Sequence, residues 1–92
     1  MISIRLRCAK MRNIHNVVTD VQEEIKANHF PAVGHVQDTV EGWTIVEFTA
    51  DQCVLQFEVH LENQVSCVLN QRGFTNAQRD TIMEIFTQKM FD

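Results

Sequence analysis

The residues best suited to chemistry in this sequence are Glu58, His60 and Glu62, which alternate along one segment. Alternate residues of a strand point to the same face and lie about 6.5–7 Å apart. An imidazole and two carboxylates form a reasonable ligand set for a metal ion or for acid–base work. These distances are too long for the three side chains of one strand to bind one ion. The neighbouring strands are not predicted to place a usual metal ligand beside them. We therefore expect a polar row that faces solvent or a partner, with no metal and no cofactor.

The three cysteines, Cys8, Cys53 and Cys67, give weaker support for chemistry. A cysteine nucleophile needs a nearby histidine and an electropositive, open environment. Cys8 has Arg7 and Lys10 beside it, but all three cysteines occupy the apolar phase of their segments, which predicts buried, reduced thiols. The sequence also lacks a glycine-rich phosphate loop, a CxxC pair and the HExxH and GxSxG motifs. We expect no enzymatic activity.

Glu58, His60 and Glu62 lie in the segment from residue 43 to residue 70, which alternates between apolar and polar residues. Alternation with a period of two predicts half-buried strands of an antiparallel sheet. We predict strands over residues 32–40, 43–50, 53–61 and 65–70. The turns between them are predicted at residues 41–42, 51–52 and 62–64.

The alternation also predicts which residues lie opposite each other, because a slip of one residue inverts every side chain. A two-residue turn at residues 51–52 places Phe48 opposite Leu55, and both are apolar. A three-residue turn at residues 62–64 places Cys67 opposite Val59, whereas a two-residue turn places it beside Glu58. We therefore predict the three-residue turn.

Two helices are predicted from apolar residues at helical spacing. The stripe of the first helix consists of Ile14, Val17, Val18, Val21 and Ile25, and that of the second consists of Ile82, Ile85, Phe86 and Met90. Asn13 is the expected N-cap of the first helix, and Pro31 ends it near residues 28–30. Thr75 and Gln78 form a capping box that opens the second helix, which runs to about residue 90.

Residues 1–8 alternate as well, with Ile2, Ile4, Leu6 and Cys8 in the apolar phase. This pattern predicts an amphipathic strand, although a helix that continues into the next segment also fits part of it. The complete prediction is a single α+β domain over residues 1–92. It has a two-layer β-α-β-β-β-β-α arrangement, with both helices on one face of an antiparallel sheet.

The charge of the chain is distributed unevenly. Residues 1–12 contain four basic groups and no acid, whereas residues 13–92 contain four basic groups and all twelve acids. The two parts have net charges of +4 and −8, which gives the total of −4. An acidic body is repelled by nucleic-acid phosphates and attracted to basic surfaces. No apolar run approaches the roughly 18 residues that span a bilayer, and residues 1–12 do not resemble a secretory signal. We expect a cytoplasmic protein with no membrane partner.

The side chains that alternate with the predicted core define an outer face of the sheet, and we predict that this face binds a partner. Its predicted members are Trp43, Ile45, Glu47, Gln56, Glu58, His60 and Val68. If both helices cover the opposite face, the apolar members stay exposed among acids, which is typical of interaction surfaces. The alternatives are an ordinary surface, or a surface that the N-terminal segment covers.

Three functions are compatible with these features. The first is a non-catalytic inhibitor or adaptor that binds a larger basic protein or ribonucleoprotein complex. In size and charge the chain is similar to small phage-encoded inhibitors of host defence complexes that handle nucleic acid. The second is RNA or ribosome binding through Arg5, Arg7, Lys10 and Arg12. The third is a self-assembling structural subunit, a homodimer that extends its sheet through strand edges.

Overall fold

The computed structural model describes residues 12–91, and within them two helices and four strands follow one another as α1-β1-β2-β3-β4-α2. The helices are α1 (Ile14–Asn28) and α2 (Asn76–Phe91), and the strands are β1 (Val33–Val40), β2 (Trp43–Ala50), β3 (Cys53–His60) and β4 (Val65–Arg72). The strands form one antiparallel sheet in the order β1-β2-β3-β4. The predicted α+β class is confirmed. The strand predicted over residues 1–8 lies outside the described residues.

Both helices form at their predicted places and use the predicted caps. Asn13 Oδ1 accepts hydrogen bonds from the backbone N–H groups of His15 (2.8 Å) and Asn16 (3.4 Å), which otherwise have no partner within a helix. The Thr75 N–H donates to Gln78 Oε1 (2.8 Å), and the Gln78 N–H donates to Thr75 Oγ1 (3.0 Å). This reciprocal pair is the predicted capping box. Neither helix is long and apolar enough to cross a membrane.

The core lies between the helices and one face of the sheet. All nine residues of the two predicted helical stripes are buried, and the sheet contributes Val46, Phe48, Leu55, Phe57 and Val59, each fully buried. Phe57 joins the two layers, because its ring lies 6.3 Å from that of Phe48 and 5.1 Å from that of Phe86 in α2. Each such side chain contributes about 1.5–3 kcal/mol of burial free energy, so the core fixes which face of the sheet the helices cover.

The predicted pairing of β2 with β3 is confirmed. Phe48 lies opposite Leu55 across the two-residue turn, and the φ angle of Asp51 in that turn is 58°. The β1–β2 turn also has two residues, Glu41 (φ 50°) and Gly42 (φ 86°). Two consecutive left-handed residues are the geometry that matches the twist of a β-hairpin, and they pair the last residue of β1 with the first of β2.

The predicted pairing of β3 with β4 is wrong at the turn. Residues 61–64 form a four-residue turn, and Leu61 packs against the core instead of pairing with Val65. Val65 therefore lies opposite His60, and Cys67 lies opposite Glu58. Leu61 is partly buried against the core, and this burial favours the longer turn over the predicted one.

Two irregularities in the strand pairing change the faces of later residues. In β1 the pairing skips Gln37, and in β4 it skips Leu69, so each strand has one additional residue at that point. The bulge in β4 restores the predicted pairing of Gln56 with Asn70. β4 also continues to Arg72, two residues beyond its predicted end. Because side chains alternate along a strand, each bulge inverts the face of every residue that follows it.

Candidate protein-binding face

The outer face is the side of the sheet opposite the helices, and its side chains form rows across the four described strands. The row at one end contains one residue from each strand, Val40, Trp43, His60 and Val65, and we call it the apolar row. The next row contains Ile45, Glu58 and Cys67, and the third contains His35, Glu47, Gln56 and Asn70.

The apolar row has a fixed aromatic centre and exposed aliphatic ends. The rings of Trp43 and His60 meet edge to face with centroids 4.9 Å apart. His60 Nδ1 accepts a hydrogen bond from the N–H of Asn63 (3.3 Å), which holds the imidazole in place. Val40 is 53% exposed and Val65 is 47% exposed. A contiguous strip of this kind, open to solvent, is typical of a binding surface.

Carboxylates lie on both sides of the apolar row. Glu41 is in the β1–β2 turn and Glu62 is in the β3–β4 turn, both at the end of the sheet nearest the row. Glu58 is in the adjacent row, on the opposite side. Within residues 12–91, none of these three side chains makes a hydrogen bond or an ion pair. They give the apolar row a negative rim that no other side chain of residues 12–91 neutralises.

In the third row, polar side chains of neighbouring strands bond to one another. Glu47 Oε1 lies 3.2 Å from Nε2 of both Gln37 and His35. Gln56 Nε2 donates to Gln37 Oε1 at 2.7 Å. Glu47 and Gln56 therefore stabilise the pairing of β1, β2 and β3, and they are less available to a partner than Glu58.

The structure brings most of the predicted face together. Six predicted members lie on the outer face, namely Trp43, Ile45, Glu47, Gln56, Glu58 and His60. The predicted position of Val68 is wrong, because it lies opposite Phe57 on the helix side of the sheet. Sequence reasoning also missed Val40 and Val65. The sequence held a signal for Val40, because the predicted two-residue turn pairs it directly with Trp43. It held no local signal for Val65, which follows the four-residue turn.

The other predicted chemical groups are not assembled into a site. No cluster of three His, Cys, Asp or Glu side chains in residues 12–91 is close enough to hold a metal ion. Cys53 and Cys67 are free thiols. Cys53 packs against the core, but Cys67 is exposed, so its predicted burial is wrong because the β3–β4 pairing turns it outward. Cys8 lies outside the described residues.

Most of the residues predicted to bind nucleic acid lie outside the described residues. Arg5, Arg7 and Lys10 lie outside residues 12–91. The guanidinium of Arg12 forms an ion pair with the carboxylate of Asp20 in α1. Both side chains are well exposed, so solvent and salt weaken this pair.

The outer face therefore combines an aromatic centre, exposed aliphatic ends and carboxylates that no described neighbour pairs. Comparison of the chain with protein-family models, with curated proteins and with solved structures gives no match. The geometry of this face is accordingly the basis on which a function is proposed.

Proposed function

We propose that this protein is a small, non-catalytic protein-binding module, an inhibitor or adaptor, that acts in the cytoplasm by binding a basic surface of a larger protein. The observation that supports the proposal best is the apolar row, which crosses all four described strands between carboxylates. The free thiols of Cys53 and Cys67 are compatible with a reducing compartment.

The composition of the face suits a protein partner. Tryptophan is enriched among residues that dominate binding energies, and Trp43 is the only one in the chain. Its edge-to-face contact with His60 holds the indole in one orientation, so little conformational freedom is lost on binding. Val40 and Val65 supply apolar area at the two ends of the row. Glu41, Glu58 and Glu62 would surround that contact with negative charge.

The charge of the face selects a basic partner. Residues 13–92 have a net charge of −8, which attracts a basic surface over long distances and speeds association at low salt. At contact, the rim carboxylates give specificity, because an acidic competitor would place like charges together. The same field disfavours a phosphate backbone.

The dimensions of the sheet agree with a single interface of ordinary size. Four strands about 4.8 Å apart and eight residues long present a face of about 19 Å by 26 Å, or about 500 Å². A standard interface buries about 800 Å² on each partner, so the face and its adjoining turns account for most of one. We expect one partner molecule per face.

The test is capture of partners from lysate by the tagged protein, with and without nuclease, followed by affinity measurement with the purified partner. The variants are Trp43→Ala and Glu58→Lys, and the matched control is Glu84→Lys, which reverses an exposed charge on α2. We expect both face variants to bind at least about tenfold more weakly and the control to bind normally, because truncated anchors cost about 2 kcal/mol or more. The partner should have a basic surface, and binding should weaken with salt.

Two results would contradict the proposal. The first is normal binding by Trp43→Ala and Glu58→Lys variants that remain folded, as judged by their urea unfolding. The second is a set of interactors that disappears with nuclease and with replacement of Arg5, Arg7, Lys10 and Arg12. That second result would favour RNA or ribosome binding through the N-terminal segment.

A further inference from the structure

The outer edge of β4 has an unusual composition for an edge strand. Within residues 12–91, β4 pairs with β3 on one side and with no strand on the other. Val65, Val68 and Leu69 are 47%, 39% and 46% exposed, and Cys67 is also exposed. Val65 lies on the outer face and Val68 on the helix side, so the strand is apolar on both sides. A strand that is apolar on both sides is typical of the interior of a sheet.

The devices that normally protect an edge strand are missing from most of β4. Proline, lysine and inward-pointing charges prevent edge-to-edge pairing, and residues 65–71 contain no proline and no charged residue. The bulge at Leu69 leaves four regularly paired residues before it. At the other edge, by contrast, the bulge at Gln37 interrupts the middle of β1, and the Gly34 N–H donates to Gln22 of α1 (3.0 Å).

We propose that the β4 edge pairs antiparallel with β4 of a second copy of this chain, which joins the two sheets into one continuous sheet. Residues 65–71 have no charged side chain that could attract the basic partner proposed for the outer face. Two copies of this edge can pair without placing like charges opposite each other. The pairing is isologous, so the same residues of both copies form the contact.

The symmetry of the pair predicts its register. Residues opposite each other in an antiparallel pair have side chains on the same face of the sheet. In a pair with two-fold symmetry, one residue must therefore lie opposite the same residue of the other copy, and the axis passes between these two residues. Cys67 is the middle residue of the apolar segment 65–69. An axis at Cys67 places Ser66 opposite Val68 of the partner subunit and keeps the pairing within uncharged residues.

The two layers of the fold tolerate this pairing. Strands about 4.8 Å apart place β3 about 14 Å from its copy. α2 contacts β3 through the Phe57–Phe86 rings and contacts the far end of β4 through the hydrogen bonds of Gln71 to Asn76 and Arg79. Val68 lies before the bulge, on the helix side, and is 39% exposed. The two Glu58 side chains are also about 14 Å apart, beyond the screening length of about 8 Å at physiological salt.

The first measurement is the mass of the purified full chain by sedimentation equilibrium from about 10 µM to about 1 mM, which covers the affinities expected of a small interface. Wild-type protein should approach twice the monomer mass as concentration rises. Leu69→Lys places a charge on the edge and should weaken dimerisation at least about tenfold. Val33→Lys is the matched control, because Val33 is 48% exposed on the opposite edge strand, and it should dimerise normally.

The second measurement tests the register by mild oxidation with diamide of the full chain bearing Cys8→Ser and Cys53→Ser, which leaves Cys67 alone. Opposed residues in an antiparallel pair have Cα atoms about 4.5–5.5 Å apart, within the range that a disulfide spans. We expect a covalent dimer whose yield falls when Leu69→Lys is added and is retained when Val33→Lys is added.

Three outcomes would overturn the proposal, namely a monomer mass independent of concentration, dimerisation unaffected by Leu69→Lys, and dimerisation that appears only after residues 1–11 are removed. The last would show that those residues occupy the edge in the full chain. None of these experiments requires the partner of the outer face, so failure here leaves the capture test with Glu58→Lys unaffected.

Discussion

Gly34 is the position where adding a single methyl group should reveal how tightly the sheet packs. It lies directly opposite Phe48 in the β1–β2 pairing. A Cβ atom at Gly34 would lie closest to Cε2 of the Phe48 ring, with Cζ at 2.7 Å and Cδ2 at 2.8 Å. That ring is fully buried and stacks against Phe57 with an interplanar angle of 5°, so it cannot move aside without disturbing a second buried ring.

The expected free energy of Gly34→Ala is the difference between two opposing effects. Gly34 does not have a left-handed φ, so alanine fits the backbone and should gain about 0.5–1 kcal/mol through the lower entropy of the unfolded chain. Overpacking a core costs about 1–3 kcal/mol, and the contact here is about 1 Å shorter than carbon atoms prefer. We expect the clash to win and the protein to lose about 2 kcal/mol of unfolding free energy.

The assay is urea unfolding followed by the fluorescence of the single tryptophan. With an m-value of about 1–2 kcal/mol per M, the midpoint should fall by about 1–2 M at unchanged m. Phe48→Leu removes the ring atoms nearest the new methyl group. In that background Gly34→Ala should be neutral or should gain up to about 1 kcal/mol, so a double-mutant cycle should give a coupling of about 2–3 kcal/mol. Stabilisation by Gly34→Ala alone, or equal costs in both backgrounds, would refute the reasoning.

The remaining predictions concern one turn and one helix cap, and urea unfolding measures both. Gly42→Ala should lower the free energy of unfolding by about 1–2 kcal/mol, because the φ angle of 86° is strained for a residue with a side chain. Gly42→Asn should recover part of this loss. An alanine variant as stable as the wild type would contradict the prediction. Thr75→Ala should cost about 1 kcal/mol through loss of the capping bond to Gln78. Because the two bonds of the capping box are reciprocal, adding Gln78→Ala should cost less than the sum of the single changes, and strict additivity would count against the box.

The sequence by itself determined the features that depend on near neighbours. The helical stripe from Ile14 to Ile25 predicted the buried side of α1, since one face of a helix follows from spacing alone. The cap at Asn13 required only the side chain and the two amides that follow it. The β2–β3 pairing followed in the same way, because two alternating segments joined by a two-residue turn have one register that pairs apolar residues.

Only the tertiary structure decided where β4 lies relative to β3. The alternation of β4 predicted Val65 and Cys67 on the core side, and this is wrong because Leu61 leaves the strand and packs against a core built by distant residues. That contact lengthens the turn and moves Val65 and Cys67 to the outer face and Val68 to the helix side.

The candidate site shows the same division. The members of the outer face in β2 and β3 follow from their alternation, so Trp43, Glu58 and His60 were predictable. At the ends of the apolar row, the two-residue turn that pairs Val40 with Trp43 was a local signal, whereas Val65 had none because it follows the four-residue turn. A period of two describes the backbone of one strand, whereas bulges and turn lengths are set by how the packed layers fit together.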